Sequence, residues 1–368
     1  MQNPWKLVSS FGQSLWYDNI SRGFIASGGL QKMIADLDLR GVTSNPAIFE
    51  KAIAKSSEYD DDIRLLADQG KSTTQIYEKL TTDDIRNACD ILRSVYDATG
   101  GNDGFVSIEV DPRLAHTTDE TLEQARHLWK VVDRPNVMIK IPGTPAGLPA
   151  IRAAISEGIN VNVTLLFGIE NYEQVAKAYI DGLRDRQNNG DDITRVRSVA
   201  SFFLSRVDTN VDKLLESKGS EYADLAGKAA NANAKLAYER YSRIFGSDFD
   251  DLRDAGAHTQ RCLWASVSTK NPSYRDVMYI EPLIGPHTVT TVPDDTIAAF
   301  GDHGVAANTL GDGLSEARSL IATLLSIGID TEQVAAELQL DGVKKFEDAF
   351  NGLMKVLETK KSLIEEAA

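Results

Sequence analysis

Residues 159–167 read Ile159-Asn-Val-Asn-Val-Thr-Leu-Leu-Phe167. Side chains alternate across a strand, so Ile159, Val161, Val163 and Leu165 share one face, and Asn160, Asn162 and Thr164 share the other. In a parallel barrel the aliphatic face meets the surrounding helices and the other face points inward. Barrel interiors are usually filled by branched aliphatics. A strand that turns Asn, Asn and Thr into that space departs from the rule, and such departures mark functional sites. The competing reading is a satisfied polar network that merely fills the barrel.

Working outward, seven more short apolar runs alternate with longer helix-period stretches. They are Leu15–Ile20, Leu39–Thr43, Phe105–Val110, Asn136–Ile141, Val196–Phe203, Gln260–Val267 and Thr288–Val292. Amphipathic segments such as Ser72–Thr99, Asp119–Val132, Pro149–Ser156, Glu170–Arg184 and Tyr222–Phe245 lie between them. Strands alternating with helices predict βαβ units and a parallel sheet. Eight such units predict a (β/α)8 TIM barrel, and no GxGxxG follows an early strand to suggest a dinucleotide fold. The barrel is expected over about residues 15–300. Helices at Asp294–Phe300, Leu314–Ile327, Thr331–Leu338 and Gly342–Leu363 follow. The last is strongly amphipathic and is expected to pack on the barrel, with a partner-binding role as the alternative. With no repeat or linker in sight, residues 1–368 read as a single domain.

Two neighbouring strands also break the aliphatic rule. Ser107 and Glu109 lie opposite Val106 and Ile108, and Lys140 lies opposite Val137, Ile139 and Ile141. Glu109, Lys140, Asn162 and Thr164 therefore face one cavity, near the strand ends where barrel enzymes carry their sites. Lysine is rarely buried, and apolar surroundings disfavour its charged form. A neutral buried amine attacks a carbonyl to form a Schiff base. Glu109 and the Thr164 hydroxyl could move the protons, directly or through a water. A structural Lys140–Glu109 ion pair is the plainer alternative. Asp18 ends the first apolar run, and Asn45 stands in a Thr-Ser-Asn-Pro sequence that also suits a helix start. Ser201, Arg206, Ser266 and Lys270 follow the sixth and seventh strands, where barrels often bind phosphate.

Composition narrows the partners. Asp plus Glu number 54 against 39 Lys plus Arg, a net charge of −15. Such a surface repels nucleic acid and anionic membranes, though not a small phosphorylated ligand held by local cations. No apolar run approaches the ~18 residues that span a bilayer, and no secretory signal opens the chain, so a cytoplasmic location is expected. The two cysteines, Cys89 and Cys262, read as buried reduced thiols, and the five histidines form no metal-binding cluster. No protein-built metal site is expected.

Seven segments together resemble the transaldolases, specifically the longer bacterial form. They are LWYDNISR (15–22), GVTSNPAIFEKAI (41–53), VSIEVDPRLA (106–115), NVMIKIPGT (136–144), GINVNVTLLF (158–167), SVASFFLSRVDTNVD (198–212) and LWASVSTKNP (263–272). The resemblance implies a barrel whose strand order is circularly permuted relative to other class I aldolases. It implies cofactor-free transfer of a dihydroxyacetone unit in the non-oxidative pentose phosphate pathway. The donor would be sedoheptulose 7-phosphate or fructose 6-phosphate, and the acceptor glyceraldehyde 3-phosphate or erythrose 4-phosphate. Residue by residue, it implies Lys140 as the Schiff-base lysine, Glu109 and Thr164 as a proton relay through water, and Asp18 as acid/base at the broken bond. Asn45, Asn162 and Ser201 would hold ketose hydroxyls, and Arg206 and Ser266 the phosphate. Many members carry a second phosphate-binding arginine two residues after the Ser266 position. This chain has Ser268 there, with Lys270 as the candidate replacement. Related fructose-6-phosphate aldolases carry tyrosine where this chain has Phe203, which lacks a hydroxyl to assist free cleavage. A glycoside hydrolase using Asp18 and Glu109, or a non-catalytic sugar-phosphate-binding barrel, remain as alternatives, and a monomer or homodimer is expected.

Overall fold

All eight expected strands form and pair in chain order into a closed barrel, every pairing parallel and β1 closing on β8. The structure is a computed structural model that describes residues 3–366. The strands are β1 (Gln13–Tyr17), β2 (Leu39–Thr43), β3 (Phe105–Glu109), β4 (Val137–Pro142), β5 (Val161–Leu166), β6 (Ser198–Phe203), β7 (Arg261–Ala265) and β8 (Thr288–Val292). β1 starts two residues earlier than expected and stops at Tyr17, so Asp18 lies just beyond it. The Asp18 amide still donates to the Val292 carbonyl of β8.

The register sets Glu109 beside Lys140, Lys140 beside Asn162, and Pro142 beside Thr164. Adjacent parallel strands therefore carry the polar residues to one level of the barrel. On the same inward parity but nearer the strand starts, Trp16, Phe105 and Met138 are buried and fill the interior. Trp16 and Phe105 pack with ring centroids 6.3 Å apart. The barrel is thus apolar across its middle, with the polar group above it.

Two helix expectations are corrected. Tyr222–Phe245 is not one helix: a 3-10 turn at Ser220–Leu225 precedes a helix at Ala229–Ile244, and Gly227 between them takes φ +70°. Conversely, Thr331–Leu338 and Gly342–Leu363 join into a single helix, Thr331–Glu366. The helix runs through residues 339–341, which the expected pair left out, and keeps Gly342 in its interior, where glycine costs about 1 kcal/mol. Here it serves close approach, since a Cβ at 342 would stand 2.9 Å from Leu165 Cδ2.

That C-terminal helix packs on the barrel, as one of the two readings anticipated. Gln339 Nε2 donates to the carbonyls of Gly143 (3.0 Å) and Leu165 (3.1 Å). Glu332 accepts from the amides of Ile169 (2.9 Å) and Glu170 (3.3 Å). Those amides open the helix Ile169–Asn188, whose own cap position is Gly168 and supplies no side chain. First-turn amides have no partner within their helix, so the C-terminal helix provides one. Cys89 and Cys262 are buried free thiols. Among the described residues no helix is long and apolar enough to cross a membrane.

Candidate active site

Lys140 rises from the inner face of β4 and is only 4 % exposed. Its Nζ donates to the Ser44 backbone carbonyl at 3.1 Å and lies 3.7 Å from Glu109 Oε2. The second distance is an ion-pair contact but too long for a hydrogen bond. Phe346 of the C-terminal helix covers the amine, with its ring centroid 5.8 Å from Nζ. Both Glu109 carboxyl oxygens and Thr164 Oγ1 are buried with no protein hydrogen-bond partner. Each such atom costs about 1–3 kcal/mol, so three around one lysine mark a place made for a reactant or a water. Burial pushes the Glu109 carboxyl up to about 7, against the opposing pull of Lys140.

Asp18 faces the same space from the end of β1. It accepts from Thr43 Oγ1 at 2.7 Å, and Thr43 Oγ1 also meets Thr291 Oγ1 at 2.6 Å. Burial raises its carboxyl above the usual range, while Lys140, the Thr43 hydrogen bond and Lys270 pull it back. Asp18 nevertheless keeps some exposed surface, which is on the cavity side. Asn162 is held on both sides: Ser201 Oγ donates to its Oδ1 at 2.7 Å, and its Nδ2 donates to Ser107 Oγ at 3.0 Å. Asn45 serves its predicted capping role, with Oδ1 accepting from the Ile48 amide at 3.0 Å. It also lines the cavity, so the two readings of Thr-Ser-Asn-Pro are compatible.

The cavity measures about 250 Å³. Every expected site residue lies in its wall except Glu109 and Asn162, which sit immediately behind Lys140 on the neighbouring strands. At its far end, Arg206 stacks over Phe203 at 5.4 Å, with one guanidinium nitrogen buried and unpartnered. Burial holds the Arg206 guanidinium below its ordinary range, with Asp341 opposing. Ser266 Oγ meets Ser205 Oγ at 2.8 Å from a left-handed backbone, φ +54°. Lys270 is exposed and donates to Ser268 Oγ at 2.7 Å, so the lysine and the serine at the arginine's place form one unit.

Thr43, Thr291, the Ser44 carbonyl and Phe346 were not singled out from sequence. Thr43 was accessible by parity, because it is the last inward position of β2. Phe346 carried no local signal: it is an apolar residue on an amphipathic helix, and only the packing of that helix brings it over Lys140. The bend at Leu165, φ +60°, was also hidden. It falls where the β5–β6 register shifts, between Val163 and Leu166. Among the described residues no group of three or more His, Cys, Asp or Glu is placed to hold a metal ion.

A family model described as Transaldolase/Fructose-6-phosphate aldolase matches residues 15–357. The chain is 49% identical to "Transaldolase 2" of Nostoc sp., covering 97% of each chain. It is 48% identical to "Transaldolase" of Mycolicibacterium smegmatis and 48% identical to "Transaldolase" of Trichodesmium erythraeum, covering 96% of each chain in both cases. The chain therefore belongs to the transaldolase/fructose-6-phosphate aldolase family, as a transferase enzyme on the transaldolase side of it.

Proposed function

We propose that this transaldolase moves a dihydroxyacetone unit from a ketose phosphate to an aldose phosphate through a Schiff base on Lys140. The donor is sedoheptulose 7-phosphate or fructose 6-phosphate, and the acceptor glyceraldehyde 3-phosphate or erythrose 4-phosphate. One observation carries the reading: a buried lysine flanked by an unpartnered carboxyl and an unpartnered hydroxyl, with a second carboxyl across the same small cavity. Neutral Lys140 attacks the ketose carbonyl, and Glu109, working with Thr164 through a water, supplies the proton that lets the carbinolamine hydroxyl leave as water. Asp18 then takes the proton from the C4 hydroxyl as the C3–C4 bond breaks. The aldose departs, and its electron pair remains as an enamine on Lys140. An incoming aldose reverses the bond change with Asp18 returning the proton, and water hydrolyses the new imine. Asn45, Asn162 and Ser201 orient the hydroxyls, and Arg206, Ser266 and Lys270 hold the phosphate. Phe203 offers no hydroxyl to release the three-carbon unit to water, which favours transfer over simple cleavage.

The barrel (about 15–300) and the helices after it act as one unit in the cytoplasm, needing no metal or cofactor. Incubation with fructose 6-phosphate and borohydride, followed by peptide mapping, tests the mechanism. A reduced three-carbon adduct is expected on Lys140 and absent from Lys140→Ala. An adduct on another lysine, or none, overturns it.

A further inference from the structure

The opposite end of the barrel carries a second charged space. An open cavity of about 730 Å³ lies beneath the starts of β4, β5 and β6. Four arginines (Arg93, Arg186, Arg195 and Arg197) line it against two aspartates, Asp97 and Asp192. This balance is the reverse of the whole chain, where carboxylates outnumber cations 54 to 39. Arg93 pairs with Asp97 at 2.8 Å, and Arg195 approaches Asp192 at 3.9 Å. Among the described residues the other two arginines have no carboxylate within ion-pair distance, though Asp192 acts on both at longer range. Arg186 donates to the carbonyls of Asp192 and Ser156, and Arg197 to those of Thr194 and Val196.

Arg197 is the centre of this arrangement. It stands directly before β6, is 8 % exposed, and its Nε has no hydrogen-bond partner. It also lines an adjoining cavity of about 310 Å³ under the barrel mouth, together with Arg261, His258 and His287. Arg261 is already bound to Asp103 at 2.9 Å. Burial first, then Arg197 and Arg261, push the His258 imidazole down to about 4. A buried cation without a counter-ion is costly, and such groups are usually paired. Nothing in the transaldolase chemistry uses these residues, since Trp16, Phe105 and Met138 fill the barrel between the two ends.

We propose that this N-terminal cleft is a binding site for a small phosphorylated anion, with Arg197 as its buried anchor and Arg186 and Arg195 on its rim. The guanidinium fork matches phosphate oxygens, and desolvation of Arg197 makes each contact count for more than at the surface. The phosphate could belong to a free inorganic anion or to a phosphorylated metabolite.

Calorimetric titration of the intact enzyme with pyrophosphate at low salt tests the site, with ATP and fructose 6-phosphate as separate arms to distinguish the sources. Binding should survive Arg206→Ala, which disables the active-site phosphate contact. It should weaken roughly tenfold in Arg197→Met, the loss expected for a charge-assisted hydrogen bond. Arg195→Glu provides the check that does not depend on a buried change, because that side chain is 88% exposed. It should weaken binding roughly threefold with an unchanged melting temperature. Hydrogen exchange should slow at residues 193–197 when pyrophosphate is present. Absence of binding, or binding abolished by Arg206→Ala and untouched by Arg195→Glu, overturns the proposal.

Discussion

At the scale of single residues, Glu109 is the group whose titration shapes the pH profile. Burial lets its carboxyl keep a proton up to about 7, against the pull of Lys140. As the proposed acid of imine formation it must hold that proton, so activity should fall as pH rises through about 7. In Glu109→Gln that limb should vanish from the kcat/KM profile, and kcat should drop by roughly 10²–10⁴, the usual worth of a general acid. A mutant that retains the limb would assign it elsewhere. The proposed phosphate end divides by burial. Arg206→Ala should raise KM for phosphorylated substrates by roughly tenfold or more, because a desolvated charge-assisted contact is worth ~1.5–3 kcal/mol. Lys270→Ala should raise it less, by about fivefold at most, because Lys270 is exposed and its contact is screened. Equal effects would contradict this ordering.

At the scale of elements, the C-terminal helix supports the site by contacts that its own sequence does not announce. Glu332 caps the helix Ile169–Asn188 in place of a missing local cap. Glu332→Ala should cost about 1 kcal/mol in urea unfolding, the usual value of a lost cap. A change under a few tenths would mean that water replaces it fully. Strands were the most legible part of the sequence, because period-two alternation and a buried face fix both length and register. Lys140, Glu109, Asn162 and Thr164 could be grouped by parity alone, without any homologue. What escaped was set by long-range packing. The gap left at residues 339–341 closes because Gln339 bonds the carbonyls of Gly143 and Leu165, far away in sequence. Phe346 and the left-handed turns at Leu165 and Ser266 were invisible for the same reason. Non-glycine residues with positive φ cost about 1 kcal/mol or more and persist where the surroundings impose them.

At the scale of the whole molecule, the barrel carries the proposed site and the last helix covers it. Phe346 lies over both Lys140 and Phe203, the two rings 6.4 Å apart. Phe346→Ala should open the amine to water, lower kcat/KM and increase hydrolytic release of the three-carbon unit relative to transfer. Product analysis with and without acceptor reads that ratio, and an unchanged ratio would deny the ring a sealing role. Removing residues 331–368 should do more: lose Glu332, Gln339 and Phe346 together, lower the melting temperature and abolish transfer. A truncated chain with full activity would reduce the helix to packing alone.

The position of that helix in the chain has a bearing on biosynthesis. Translation delivers β1 to β8 first, and folding during synthesis proceeds from the N-terminus. A nascent chain that has just released its eighth strand can pair β8 with β1 and bring Lys140, Glu109 and Asp18 together. It still has no roof, because the residues that provide it have yet to be joined. Catalytic competence thus arrives only after all eight strands have been made. A product stalled before residue 331 would be a barrel with a bare apolar patch, inert toward sugars and open to chaperones and proteases.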